Sequence, residues 1–150
     1  MSTAHYYNVG LKWNEMRIGT LTAPTLPETI TVATPPEFPK GHQGIWSPEH
    51  LFVSAINSCY MTTFLAIAEN SKLAFKSFDC NASGKLETVD GKFMMSEVIV
   101  YPIVVITDEN DRERTERILQ KTEANCLISN SVKSVITMKA EIIVDTKMAA

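Results

Sequence analysis

The sequence predicts an α+β domain, with antiparallel sheet packed around a buried central helix. Three patterns carry that prediction. Apolar and polar residues alternate with a period of two around residues 7–13, 78–86 and 136–144, which is how half-buried strands read. The run Ser47 to Leu73 opens like a helix and is apolar or small on nearly every side. A charged segment from Asp108 to Cys126 carries a narrow apolar stripe at helical spacing. Strands at both ends of the chain with helices between them belong to the α+β class.

Taken in order, Tyr7, Val9, Leu11 and Trp13 alternate with Tyr6, Asn8, Gly10 and Lys12 as a first strand. A connection at Asn14-Glu15 leads to a second strand over Arg17 to Thr22. Pro24 and Pro27 are expected to stop the ladder before Glu28 to Ala33 resumes it. From Pro35 to Trp46, prolines and glycines mark a loop leading into the main helix, with Phe38, Ile45 and Trp46 available as an apolar wall.

The main helix should start at Pro48. Ser47 can accept from free first-turn amides, proline has no donor to lose at the first helical position, and Glu49 complements the positive helix end. The apolar run approaches membrane length, yet Ser54, Asn57, Ser58, Thr62 and Thr63 interrupt it and no basic flank orients it, so a buried core helix is expected. Beyond it, Phe78, Cys80, Ala82, Gly84 and Leu86 form one face of a strand, which makes Cys80 a core residue. Asp90-Gly91 reads as a hairpin turn, and Phe93 to Ile106 returns as a branched strand with Pro102 at an edge or bulge. Thr107 and Asp108 can cap the second helix, where Asp108 with Arg112 and Glu113 with Arg117 are spaced as charge pairs. Its stripe of Ile118, Leu119 and Thr122 continues to Cys126, and Ile136 to Val144 closes the sheet.

Length and composition set outer bounds. At 150 residues and 45% hydrophobic content, the chain suits one domain over residues 1–150. A net charge of -3 offers no basic footprint for nucleic acid or an anionic membrane surface. The N-terminus lacks the layout of a signal peptide, so a cytoplasmic protein is expected. Three cysteines without close pairing fit a reducing compartment, and no Cys/His cluster has metal-ligand spacing.

Cys59 is the residue with the most chemical interest. A mid-helix cysteine in apolar company is commonly structural, because burial raises its pKa and makes it inert. It lies too far from the helix start to feel the dipole, so a reactive thiolate needs a cation from another segment.

Ser47-Pro48-Glu49-His50-Leu51 followed by Cys59, and Glu123-Ala124-Asn125-Cys126-Leu127-Ile128-Ser129-Asn130 downstream, resemble the OsmC/Ohr family of thiol-dependent organic hydroperoxide reductases. Met16-Arg17-Ile18-Gly19 is similar to the family's N-terminal arginine and its following glycine. Where the family usually has proline after the second cysteine, this chain has Leu127. The resemblance implies the OsmC-like fold as an intertwined homodimer, which also accounts for a helix apolar on all sides. It implies a Cys59 thiolate that attacks the peroxide, Arg17 as the cation beside it, and Glu49 clamping the guanidinium. Cys126 would resolve the Cys59 sulfenic acid as a Cys59-Cys126 disulfide. An external dithiol, of the lipoyl type, would then reduce that disulfide, with no bound cofactor and no metal. Phe52, Phe64, Phe38 and Trp46 are the expected walls of a pocket favouring organic hydroperoxides. Two other readings use the same residues: a non-catalytic small-molecule-binding or stress-related protein, and a cysteine hydrolase. The hydrolase would need a histidine base, for which His5, His42 and His50 are the candidates.

Overall fold

The computed structural model describes residues 3–147. They fall into two compact units, Met1–Leu51 and Phe52–Ala150.

The first unit is an antiparallel meander of β1 (Gly10–Glu15), β2 (Ile18–Ala23) and β3 (Leu26–Ala33), in that spatial order. The β1–β2 turn falls at Met16-Arg17, two residues beyond the expected connection, with Met16 at φ 47°. Asn14 falls at the bulge between Trp13 and Glu15, and its side chain accepts from Thr20 Oγ1 at 2.7 Å. Tyr7 and Val9 precede β1, and the expected half-burial of this strand is absent: Leu11 and Trp13 are exposed. Pro24 sits in the turn as expected. Pro27 instead lies inside β3, the sheet-edge position where a missing amide costs no ladder bond.

The loop after β3 is pinned rather than loose. Ala33 N–H donates to the Trp46 carbonyl at 2.8 Å, and His42 N–H donates to that of Thr34 at 2.9 Å. Ser47 then caps the helix through a reciprocal box: His50 N–H donates to Ser47 Oγ, and Ser47 N–H donates to His50 Nδ1, each at 3.2 Å.

The second unit is built from a long hairpin. β4 (Phe75–Val89) and β5 (Lys92–Ile106) pair antiparallel through Asp90 and Gly91, both at positive φ (51° and 78°), the geometry of a type I′ turn. The closing strand differs from the expectation of one continuous antiparallel strand. It splits into β6 (Val135–Met138) and β7 (Glu141–Val144), both parallel to β5, the direction set by α2 (Arg112–Asn125), which carries the chain from the end of β5 back to the start of β6. Pro102 is buried in the sheet interior rather than at an edge, and it stands on β5 between the segment paired with β6 and the segment paired with β7. Asp108 caps a short 3₁₀ turn ahead of α2, accepting from Asn110 N–H at 2.9 Å. The expected charge pairs give way to Glu109 with Arg112 (2.7 Å) and Asp111 with Arg114 (3.9 Å), three residues apart.

α1 (Pro48–Asn70) buries Ile56, Cys59, Tyr60, Phe64 and Ala68, a stripe spaced three and four residues apart. Its opposite side, including Ala55, Met61, Thr62, Leu65 and Ala66, is exposed in the single chain. Lys72, at φ 55°, ends the helix in a Schellman turn, with Leu73 N–H donating to the Ala68 carbonyl at 2.9 Å. Gly84 permits the close approach of α1 to the hairpin, since a Cβ there would stand 2.4 Å from Val53 Cγ2. The core has two clusters, one around Phe64, Val104, Ile106, Ile118 and Leu119, the other around Ile56, Cys59, Tyr60, Val98, Val100 and Cys126.

Candidate functional site

The second cluster holds both cysteines singled out by the sequence. Helical spacing puts Cys59 on the buried stripe of α1, where it is 8% exposed. Asn57, two residues earlier, ties the helix to β4 by donating from Nδ2 to the Cys80 carbonyl at 2.7 Å. Thr63, one turn on, places its hydroxyl 3.7 Å from Cys59 Sγ.

Cys126 arrives from α2. Thr115, Ile118, Leu119 and Thr122 form the buried stripe of that helix, and the two threonines satisfy their hydroxyls on the carbonyls of Asp111 (2.7 Å) and Ile118 (2.8 Å). Cys126 ends the helix in extended conformation, at φ -68° and ψ 105°, and is fully buried. The chain then folds back, with Asn130 N–H donating to the Cys126 carbonyl and Ser131 N–H to that of Ile128, both at 3.0 Å. Within this turn Ser129 Oγ donates to Cys126 Sγ at 3.1 Å.

The two reduced thiols interact, yet their surroundings push them apart in acidity. Burial pushes Cys59 up, but donors outweigh it: the Ile128 amide, the Cys126 thiol, the Thr63 hydroxyl and the Leu127 amide together hold Cys59 below its ordinary value. Burial pushes Cys126 up, the Ser129 hydroxyl and amide offset only part of that, and the neighbouring Cys59 sulfur adds to the rise. The pair is thus divided into a more acidic and a less acidic sulfur, the division a nucleophile and its resolving partner need.

Of the expected site residues, the second unit brings together Cys59, Cys126 and Phe52. Phe52 packs against the cysteine cluster and lines a 710 Å³ groove with Phe93, Met94, Met95 and Val132. Phe64 is not a pocket wall. It is fully buried in the other cluster, stacked on Phe78 at 4.6 Å and edge-on to Phe75 at 5.3 Å, because it falls on the α1 stripe beyond the cysteines. Cys80 is half-buried against the cysteine cluster, and burial pushes its thiol up to about 11, as a core residue should behave.

The remaining candidates belong to the first unit. Arg17 is exposed in the β1–β2 turn beside a 550 Å³ hollow that Trp13, Ile18 and Pro48 also line. Among the described residues it forms no ion pair, so the clamp by Glu49 is not made within one chain. Trp46 is 53% exposed and meets the His50 ring edge-on at 5.9 Å. Phe38 lies in a turn closed by its own amide on the Pro35 carbonyl at 3.1 Å. His50 is engaged in capping Ser47, which removes it as a general base.

Sequence reasoning missed Tyr60, Ser129 and the amides of Leu127 and Ile128. The Ser129 hydroxyl could have been suspected from its spacing three residues after Cys126. The amides could not, since any residue but proline carries one.

Comparison with known proteins agrees with this architecture. Residues 41–141 match the family described as OsmC-like protein. The uncharacterized protein YmaD of Bacillus subtilis is 23% identical over 142 residues, spanning 91% of this chain and 93% of that protein. The structure of an OsmC-like protein of unknown function from Vibrio cholerae superposes with a TM-score of 0.82 at 24% identity, covering 91% of this chain and 99% of the other. An organic hydroperoxide resistance protein from Elizabethkingia anophelis has the same fold, with a TM-score of 0.77 at 17% identity and coverage of 97% and 100%. With its fold, its helix cysteine and its family match in agreement, this chain belongs to the OsmC/Ohr family of OsmC-like proteins.

Proposed function

We propose that the protein is a thiol peroxidase that reduces organic hydroperoxides through Cys59 and Cys126. The single observation that carries this reading is the meeting of two reduced thiols, Cys59 and Cys126, in one buried cluster, with opposed shifts in acidity in support. The Cys59 thiolate attacks the outer peroxide oxygen, the O–O bond breaks, and the alkoxide leaves as an alcohol after taking a proton, so that Cys59 becomes a sulfenic acid. Cys126 then attacks the Cys59 sulfur. The S–O bond breaks, water departs with the Cys126 proton, and a disulfide forms. Two electrons from an external dithiol of the lipoyl type restore both thiols by exchange. Arg17, with Glu49 to aim it, is the cation proposed to polarise the peroxide, and Phe52, Phe38 and Trp46 are proposed to meet its organic group. Organic names on several solved relatives of this fold support that substrate class, as does the apolar groove beside Phe52.

We further propose that two copies pair in the cytoplasm. Exposed Met61 and Leu65 on α1, and exposed Tyr7, Val9, Leu11 and Trp13 near β1, are the apolar surfaces such pairing would cover. Light scattering at micromolar concentration tests it, and a monomeric mass would refute it.

The catalytic reading is tested by counting thiols after one equivalent of cumene hydroperoxide. Wild type should lose two thiols, Cys126→Ser should trap a sulfenic acid, and Cys59→Ser should not react. Retention of all three thiols in the wild type would make the protein a small-molecule binder on this fold instead.

A further inference from the structure

Resolution poses a difficulty within the proposed cycle. Cys126 is fully buried, and burial, together with the neighbouring Cys59 sulfur, keeps its proton on. A protonated thiol is a poor nucleophile, so something must stabilise the sulfur as it loses its proton.

Two hydroxyls face it. Ser129 Oγ donates to Cys126 Sγ at 3.1 Å, from a turn held shut by the Asn130 amide on the Cys126 carbonyl at 3.0 Å. Tyr60, on the buried stripe of α1, is wholly inaccessible, and among the described residues no hydrogen-bond partner of ordinary geometry satisfies its hydroxyl. An unsatisfied buried hydroxyl carries a cost on the order of 1–3 kcal/mol, which calls for an explanation. Its polar neighbours are Ser129, Glu123 and Cys126, and burial raises its pKa so far that it remains a neutral O–H, able to donate, at any working pH. A Ser129 hydroxyl that donates to sulfur keeps its lone pairs free to accept from Tyr60.

We propose that Ser129 is a positioning residue for the second half of the cycle, its hydroxyl steadying the developing thiolate of Cys126 with Tyr60 O–H polarising it from behind. This rests on the peroxidase reading and deepens it. The Tyr60–Ser129–Cys126 chain moves no net proton. Its hydrogen bonds shorten as charge builds on sulfur, while the Cys126 proton itself leaves with the departing hydroxide as water. The arrangement is particular to Cys126 rather than general to cysteines of this cluster, since Cys80 packs against the same cluster and, among the described residues, its sulfur meets the Asn81 carbonyl and no hydroxyl.

The deciding measurement needs no peroxide. In Cys59→Ser/Cys80→Ser, Cys126 is the only thiol, and its ionisation can be followed by ultraviolet thiolate absorbance against pH. Adding Ser129→Ala should shift that titration upward, by about tenfold in the ionisation constant for loss of one hydrogen bond to a charged sulfur, and Ser129→Thr should restore it. In otherwise wild-type protein, Ser129→Ala should slow disulfide formation about tenfold after a hydroperoxide pulse and move the pH profile of that step upward. Tyr60→Phe should do the same to a smaller extent. An unshifted Cys126 titration in Ser129→Ala, with near-ultraviolet circular dichroism unchanged, overturns the proposal. If wild type forms no sulfenic acid, the peroxidase reading fails, and the titration still decides the part played by Ser129.

Discussion

Cys59 and Cys80 share one apolar cluster, one on helix α1 and the other on strand β4, and their acidities shift in opposite directions. Burial pushes both thiols up. At Cys80 the Tyr101 amide opposes it without prevailing, the thiol itself donates to the Asn81 carbonyl at 3.9 Å, and it rises to about 11. At Cys59 two amides, a hydroxyl and a second thiol oppose it and prevail. Burial raises both thiols, and the donors that meet the Cys59 sulfur turn the balance there while the Tyr101 amide does not turn it at Cys80. Those donors come mainly from one turn, Cys126 to Ser129.

The sharpest way to break this comparison is to remove each sulfur in turn. Cys59→Ser should abolish hydroperoxide reduction, a loss on the order of 10³-fold or more, while Cys80→Ser should leave it within about twofold. Comparable losses from both would refute the donor argument. Next in size is Leu127→Pro, which deletes one amide donor. The backbone at Cys126 already has the extended geometry favoured before proline, so the fold should tolerate the change. The Cys59 ionisation constant should fall about threefold, seen as an upward shift in the pH dependence of iodoacetamide alkylation, and an unchanged profile would show that the amide is idle. Thr63→Val should shift the same profile in the same direction by a comparable amount, about threefold, because its hydroxyl stands 3.7 Å from the sulfur.

The gentlest test concerns Cys80. The unfolded chain loses this proton near 9.0, while the folded chain holds it to about 11. Proton binding is thus greater in the folded state across that window, and folding stability should fall as pH rises through it. Urea midpoints of the wild type should decline more steeply between those pH values than those of Cys80→Ala. Parallel slopes would mean that Cys80 titrates like a free thiol.

The opening of α1 was legible because its cap is local: Ser47, Pro48 and His50 satisfy or lack amides within one turn. The Asp90-Gly91 hairpin was legible for the same reason, since both residues must take positive φ and few others do so cheaply. The closing strand was not. Alternation over residues 136–144 says that a strand exists, but its direction depends on where α2 returns the chain, and period-two patterning is blind to direction. Phe64 was misplaced because helical spacing shows which face a residue occupies and not which cluster covers that face.

By itself, then, the sequence determined the element types, the two helix stripes that carry Cys59 and Cys126, and the family to which the chain belongs. Each depends on residue chemistry and short-range spacing. Only the tertiary structure decided that both sulfurs enter one cluster, that the Leu127 and Ile128 amides and the Ser129 hydroxyl serve them, and that Cys80 is left without such help. The physical reason is that a thiol's acidity is set by the dipoles a few ångströms from its sulfur, and here most of those dipoles belong to a turn more than sixty residues away in sequence from Cys59.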